Sequence, residues 1–121
     1  MIAGAIFGLT AVLLGAFGAH GLAKLLDVQS IASFETGVRY QMFHALLLLL
    51  LGMELKIGKK SSRAIFYLLI FGILFFSGSI YLLSTQQATG WDLGSIALLT
   101  PFGGFLLISA WGLLLYDFIK S

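Results

Sequence analysis

Four long apolar runs dominate this chain, and its polar residues gather mainly around and between them. The runs cover about residues 1–19, 39–55, 64–83 and 93–116. Each is close to the ~17–25 residues that an α-helix needs to cross a hydrocarbon core of about 30 Å. Inside lipid every backbone N–H and C=O must find a partner within the protein, and a helix meets that demand locally. Composition agrees. The 121 residues are 60% hydrophobic and 10% charged, against roughly 45–50% and about 25% for a soluble domain. A chain this short cannot enclose that much apolar surface in water. The predicted fold is all-α: an integral membrane bundle of four transmembrane helices, a single domain over residues 1–121.

The same inventory excludes several kinds of chemistry. There is no cysteine, hence no disulfide framework, thiolate metal site or cysteine nucleophile. The net charge of +2 comes largely from one cluster, Lys56, Lys59, Lys60 and Arg63. Such local patterning is not the extended basic face of a nucleic-acid binder, so no nucleic-acid partner is expected. Residues 1–19 lack the Lys or Arg that opens a secretory signal peptide. They read as a retained first span.

Gly4, Gly8, Ala11, Gly15 and Gly18 follow one another at spacings of 4, 3, 4 and 3. That spacing lines small residues along one seam, which lets helix backbones approach closely in a membrane. The seam reads as a packing face, and it offers a surface for homo-oligomerisation. Between the first and second spans, Leu22, Leu25 and Leu26 share a helical face and predict a short interfacial helix. Ser30 or Ser33 is the expected cap of the next helix, which starts ahead of Arg39 and protrudes from the membrane. Trp91 falls where an amphipathic ring suits the headgroup level. The basic cluster at 56–63 predicts a cytoplasmic central loop by the positive-inside rule, with both termini cytoplasmic. The same cluster also reads as a contact for lipid headgroups.

Placed by depth, the polar residues form a layer in the outer half of the spans. His20 closes the first. Arg39, Tyr40, Gln41 and His44 open the second, preceded by Glu35. Ser77, Ser79 and Tyr81 lie in the third, and Thr100 and Pro101 in the fourth. Ionisable and polar groups at such depth mark function or essential packing. Tyr40 and His44 lie four apart, as do Glu35 and Arg39, the latter in the favourable order for an ion pair. Arg39 alternatively anchors an anion, because its planar fork suits phosphate or carboxylate. His20 and His44 read first as interhelical hydrogen-bonding groups. A lesser reading has them hold haem, although ligand spacing such as HxxxH is missing. No cofactor and no metal is otherwise expected. Pro101 with Gly103 and Gly104 predicts a packed kink that frees the carbonyl of Ala97.

Four motifs are familiar as a set: Gly15-Ala-Phe-Gly-Ala-His-Gly21, Phe34-Glu-Thr-Gly-Val-Arg-Tyr-Gln-Met-Phe-His-Ala45, Phe76-Ser-Gly-Ser-Ile-Tyr81 and Thr100-Pro-Phe-Gly-Gly104. In this order they resemble the small bacterial inner-membrane family of unknown function that includes YgdD and YwdK. The resemblance spans nearly the whole chain. It implies a multi-pass protein of the bacterial cytoplasmic membrane and no established activity. The motif positions His20, Arg39, Tyr40, Gln41, His44, Ser77, Tyr81, Thr100 and Pro101 coincide with the polar layer.

The expected function is that of a non-enzymatic membrane protein. Its polar cluster stabilises the bundle and binds a lipid headgroup or small amphipathic ligand, with membrane lipids as partners. The candidate residues are His20, Glu35, Arg39, Tyr40, Gln41, His44, Ser77, Tyr81 and Thr100. The alternative is a small oligomeric transporter or channel subunit, or less favourably a haem-binding redox subunit. Hydrolysis is disfavoured, since no span holds an acidic dyad or a serine in a nucleophile setting.

Overall fold

A computed structural model describes residues 1–53, 59–86, 90 and 94–120. Regular structure there is entirely helical. Helix α1 is Ile2–His20, α2 is Val28–Gly52, α3 is Lys59–Ser84 and α4 is Leu99–Lys120. Single 3-10 segments, Leu22–Lys24 and Gly94–Leu98, precede α2 and α4. Three stretches, Ile2–Lys24, Lys60–Ser84 and Ile96–Lys120, are long and apolar enough to cross a membrane. α2 is not among them, although its 25 residues extend about 37 Å at 1.5 Å per residue. Glu35, Arg39, Gln41 and His44 lower its mean hydropathy. Lys56 of the basic cluster and Trp91 lie outside the described residues.

Two local expectations need correction. The short interfacial helix is only the turn Leu22–Lys24. Leu22 and Leu26 tuck under Phe34, but Leu25 is exposed, so the three leucines do not share one face. The cap of α2 is Asp27, whose carboxylate accepts from Ser30 N–H at 2.7 Å. Ser30 and Ser33 stand inside the helix instead. Asp serves an N-terminus at least as well as Ser, and it immediately precedes the helical run. Pro101 falls in the first turn of α4. That helix follows directly on the 3-10 segment Gly94–Leu98, so the missing N–H of Pro101 costs α4 no α-helical bond.

The helices pack in chain order: α1 on α2, α2 on α3, and α3 on α4. α1 and α4 make no comparable contact. The small-residue seam of α1 faces α2. A Cβ on Gly4 would lie 3.0 Å from the Ala45 carbonyl oxygen, and one on Gly18 2.9 Å from the Phe34 ring. Ala11 between them is fully buried. Gly4, Ala11 and Gly18 of the seam are thus buried against α2. α3 and α4 approach still more closely, since a Cβ on Gly103 would stand 2.3 Å from the Phe76 backbone nitrogen. Around this core the outward side chains remain apolar, including Ile2, Leu9, Phe43, Phe105 and Ile108. That is the surface of a helix assembly solvated by lipid rather than water.

Candidate functional site

Gln41 is the centre of the polar layer. It is 4% exposed, on the side of α2 between α1 and α3. Its amide Nε2 donates to the Phe7 carbonyl at 2.8 Å and to Thr10 Oγ1 at 2.7 Å, both on α1. Its Oε1 accepts from the Tyr81 hydroxyl on α3 at 2.6 Å. One side chain thus bonds three helices. One turn away, Ser77 Oγ donates to the Gly37 carbonyl at 2.8 Å. The Tyr81 ring rests on Phe34, with centroids 5.0 Å apart. Ser79 and Thr100 share a hydroxyl–hydroxyl bond that ties α3 to α4. Among the described residues no buried side-chain nitrogen or oxygen lacks a partner. An unpaired polar group in hydrocarbon is heavily penalised, so the network is self-sufficient.

His44, deeper along α2, has both ring nitrogens engaged. Nε2 lies 2.9 Å from the indole Nε1 of Trp111 on α4. Nδ1 lies 2.6 Å from the Tyr40 carbonyl. An indole nitrogen only donates and a carbonyl only accepts. Nε2 is therefore the acceptor and Nδ1 carries the proton: a neutral imidazole of defined tautomer. Tyr40 stacks on Phe76 with centroids 5.0 Å apart at 24°.

These groups fit haem poorly. Iron would have to displace the Trp111 or the Tyr40 bond from His44. The antiparallel register of α1 on α2 sets Gly18 against Phe34 and Gly8 against Ala45. His20 then stands about twelve residues, or on the order of 18 Å, from the level of His44. Among the described residues no group of three or more His, Cys, Asp or Glu converges on a metal position.

The candidates take different positions. Gln41, Ser77, Tyr81 and Thr100 form interhelical bonds. Tyr40 and His44 line a groove, and His44 also accepts from Trp111 across to α4. His20, Glu35 and Arg39 are exposed, and no ion pair joins Glu35 to Arg39 among the described residues. An exposed pair of this spacing contributes only about 0.3–0.5 kcal/mol, too little to hold two long side chains together. Thr10 and Trp111 went unremarked in the sequence. The signal for Trp111 was there: a mid-helix indole N–H in an apolar run needs an acceptor.

α2 and α4 enclose a cleft with α3 as its floor. Near the His20 end it is a cavity of about 530 Å3 with hydroxyls of Ser30, Ser33, Ser84 and Thr100 in its lining. About one turn further in, on the same helical faces, lies a groove of about 350 Å3 lined by Tyr40, His44, Phe76, Ile108 and Trp111. Ile80 and Phe76 of α3, and Thr100, Gly104 and Trp111 of α4, keep one helical face along both parts. From Ser30 to His44 the cleft follows α2 for about 21 Å. Its mouth is polar and its inner part aromatic and apolar.

Residues 14–104 match the family described as protein of unknown function (DUF423). The UPF0382 membrane protein YwdK of Bacillus subtilis is 39% identical over 99% of this chain and 95% of its own. The UPF0382 inner membrane protein YgdD of Escherichia coli is 34% identical over 99% and 88%. A UPF0382 membrane protein of Haemophilus influenzae is 36% identical over 97% and 90%. None of these names indicates an enzyme. No solved structure matches the chain.

Proposed function

Since the chain belongs to the family of proteins of unknown function DUF423, we propose that it is a non-enzymatic, four-span membrane protein that binds a lipid or similar amphiphile in the α2–α4 cleft. The observation that carries the reading is the gradient along that cleft, from hydroxyl-lined mouth to aromatic groove. An amphiphile from the bilayer matches such a gradient, with its headgroup at the mouth and its chain against Tyr40, Phe76 and Trp111. Asp27 and Gln29 also line the mouth, and Arg39, the only Lys or Arg of α2, lines neither part of the cleft. It is exposed beside Tyr40, and its long side chain snorkels toward the mouth, where its fork suits an anionic headgroup.

Four spans and cytoplasmic chain ends accompany this reading. The length of α2 favours a crossing, because about 37 Å exceeds a hydrocarbon core of ~30 Å. Lys59, Lys60, Arg63 and Lys120 fall at one end and Lys24 at the other, while Arg39 is the twelfth of the 25 residues of α2, near its middle. That asymmetry favours the first set inside. A transport pathway draws no support from the polar layer, whose groups bond to one another.

Native mass spectrometry of gently extracted protein tests the cleft. The wild type should retain a lipid. Gly104→Leu places a side chain in the groove, where a Cβ meets only the Phe76 ring at 3.5 Å, and should strip it. Arg39→Gln should weaken retention of an anionic lipid at unchanged helix content. Unchanged lipid retention in both variants would sink the reading.

A further inference from the structure

We infer that the opposite side of the α3–α4 pair holds a second, independent site for an anionic phospholipid, drawn from the leaflet at the Lys60 end. Phe76 and Phe75 are successive residues, and they face the two sites separately: Phe76 the α2–α4 cleft, Phe75 this one. The site is a groove of about 520 Å3 lined by Ala64, Tyr67, Phe71 and Phe75 of α3 and Phe102 and Leu106 of α4.

Three observations choose the occupant. The first is charge placed by helical register. Lys60 lies one turn before Ala64, and Arg63 one turn before Tyr67. Residues four apart share a helix face, so both cations stand at the open end of the groove. Both are exposed, and neither enters an ion pair among the described residues. Asp117, the acidic residue of α4 near that end, already has an interaction of its own. An Arg fork beside a Lys ammonium favours phosphate, and juxtamembrane cations attract anionic headgroups.

The second is length. From Ala64 to Phe75 the helix rises about 16 Å, roughly half of a ~30 Å hydrocarbon core and thus one leaflet deep. A phosphate on Lys60 and Arg63 leaves its acyl chain running along this stretch.

The third is the groove wall. Phe71 and Phe75 stack at 6.3 Å and 23°, and Phe75 meets Phe102 at 5.5 Å. The rings line a trough across two helices. Yet Tyr67, Phe71 and Phe102 stay about half exposed, at 53%, 48% and 51%. No other described helix covers them. A chain lying there gains contacts that a lipid on a plain leucine surface does not.

The test uses the full-length protein in nanodiscs holding equal phosphatidylglycerol and phosphatidylcholine, read by native mass spectrometry after release. The wild type should retain phosphatidylglycerol at least fivefold over phosphatidylcholine. The double variant Lys60→Gln with Arg63→Gln should bring the ratio close to one. Gly104→Leu, which acts on the other cleft, should leave it unchanged, so failure of either site is seen separately. Removing two cations can also disturb insertion, so a second measurement keeps both. Tyr67→Trp places a reporter at the groove entrance. Its fluorescence, taken over the wild-type background, should be quenched more by brominated phosphatidylglycerol than by brominated phosphatidylcholine. Equal retention of the two lipids by the wild type, or equal quenching, overturns the site. A phosphatidylglycerol preference that survives the double variant in folded protein overturns the assignment to Lys60 and Arg63.

Discussion

Gln41 shows how one residue organises several helices. A side-chain amide offers two donors and an acceptor, and here Phe7, Thr10 and Tyr81 take all of them. Replacing it with leucine keeps the volume near constant but leaves the Tyr81 hydroxyl without its acceptor. Hydrogen bonds between membrane helices average about 0.6 kcal/mol each, so Gln41→Leu should lose about 2 kcal/mol. Unfolding in mixed micelles checks this, with Tyr81→Phe expected to lose less, since it removes one bond. A Gln41→Leu protein as stable as the wild type would mean the amide is not bonded as described. At this scale the sequence was partly legible. Gln41 and Tyr81 stand out because polar groups in apolar runs need partners. That the partners are Thr10 for Gln41 and Trp111 for His44 depends on how helices distant in sequence register against each other. No spacing within a single helix reveals that.

Whole helices meet through small residues. Gly103 lets the α4 backbone lie on the α3 backbone, and a Cβ there would stand 2.3 Å from the Phe76 nitrogen. Backbone cannot swing aside as a side chain can, so Gly103→Ala must separate the two helices. A cost of about 1–3 kcal/mol, typical of overpacking, is expected, together with loss of the Ser79–Thr100 bond. Gly112 of the same helix has nothing within 4 Å of its would-be Cβ. Gly112→Ala should be neutral or slightly stabilising, because alanine is the better helix former. Thermal denaturation of the two variants in detergent separates these outcomes, and equal Tm values would contradict the α3–α4 contact. Sequence alone ranks these glycines alike. Only the neighbouring helix distinguishes a contact glycine from an idle one. Helix ends were similarly half legible. Asp27 and Pro101 both carry terminus signals, but where the local chain folds decided which signal was used.

For the whole molecule, the proposed four-span arrangement makes a geometric demand. Ala23 lies at the His20 end and Ser61 at the opposite end, so a crossing α2 sets them on different sides. The chain has no cysteine, which allows clean labelling of single substitutions. Ala23→Cys should react with an impermeant maleimide in intact spheroplasts, and Ser61→Cys only after lysis. Labelling of both in intact spheroplasts would mean that α2 does not cross. The sequence by itself determined that this chain is helical and belongs in a membrane, because apolar length and the need to pair every backbone group in lipid are local properties. It also marked which residues are too polar to face hydrocarbon alone. Only the tertiary structure decided which of them bond to each other and which line an open cleft. It also packed the α1 seam against α2, and set the aromatic stripe of α3 beside Phe102. Those outcomes depend on the relative placement of separate helices, and the residues of one helix do not encode the register of the next.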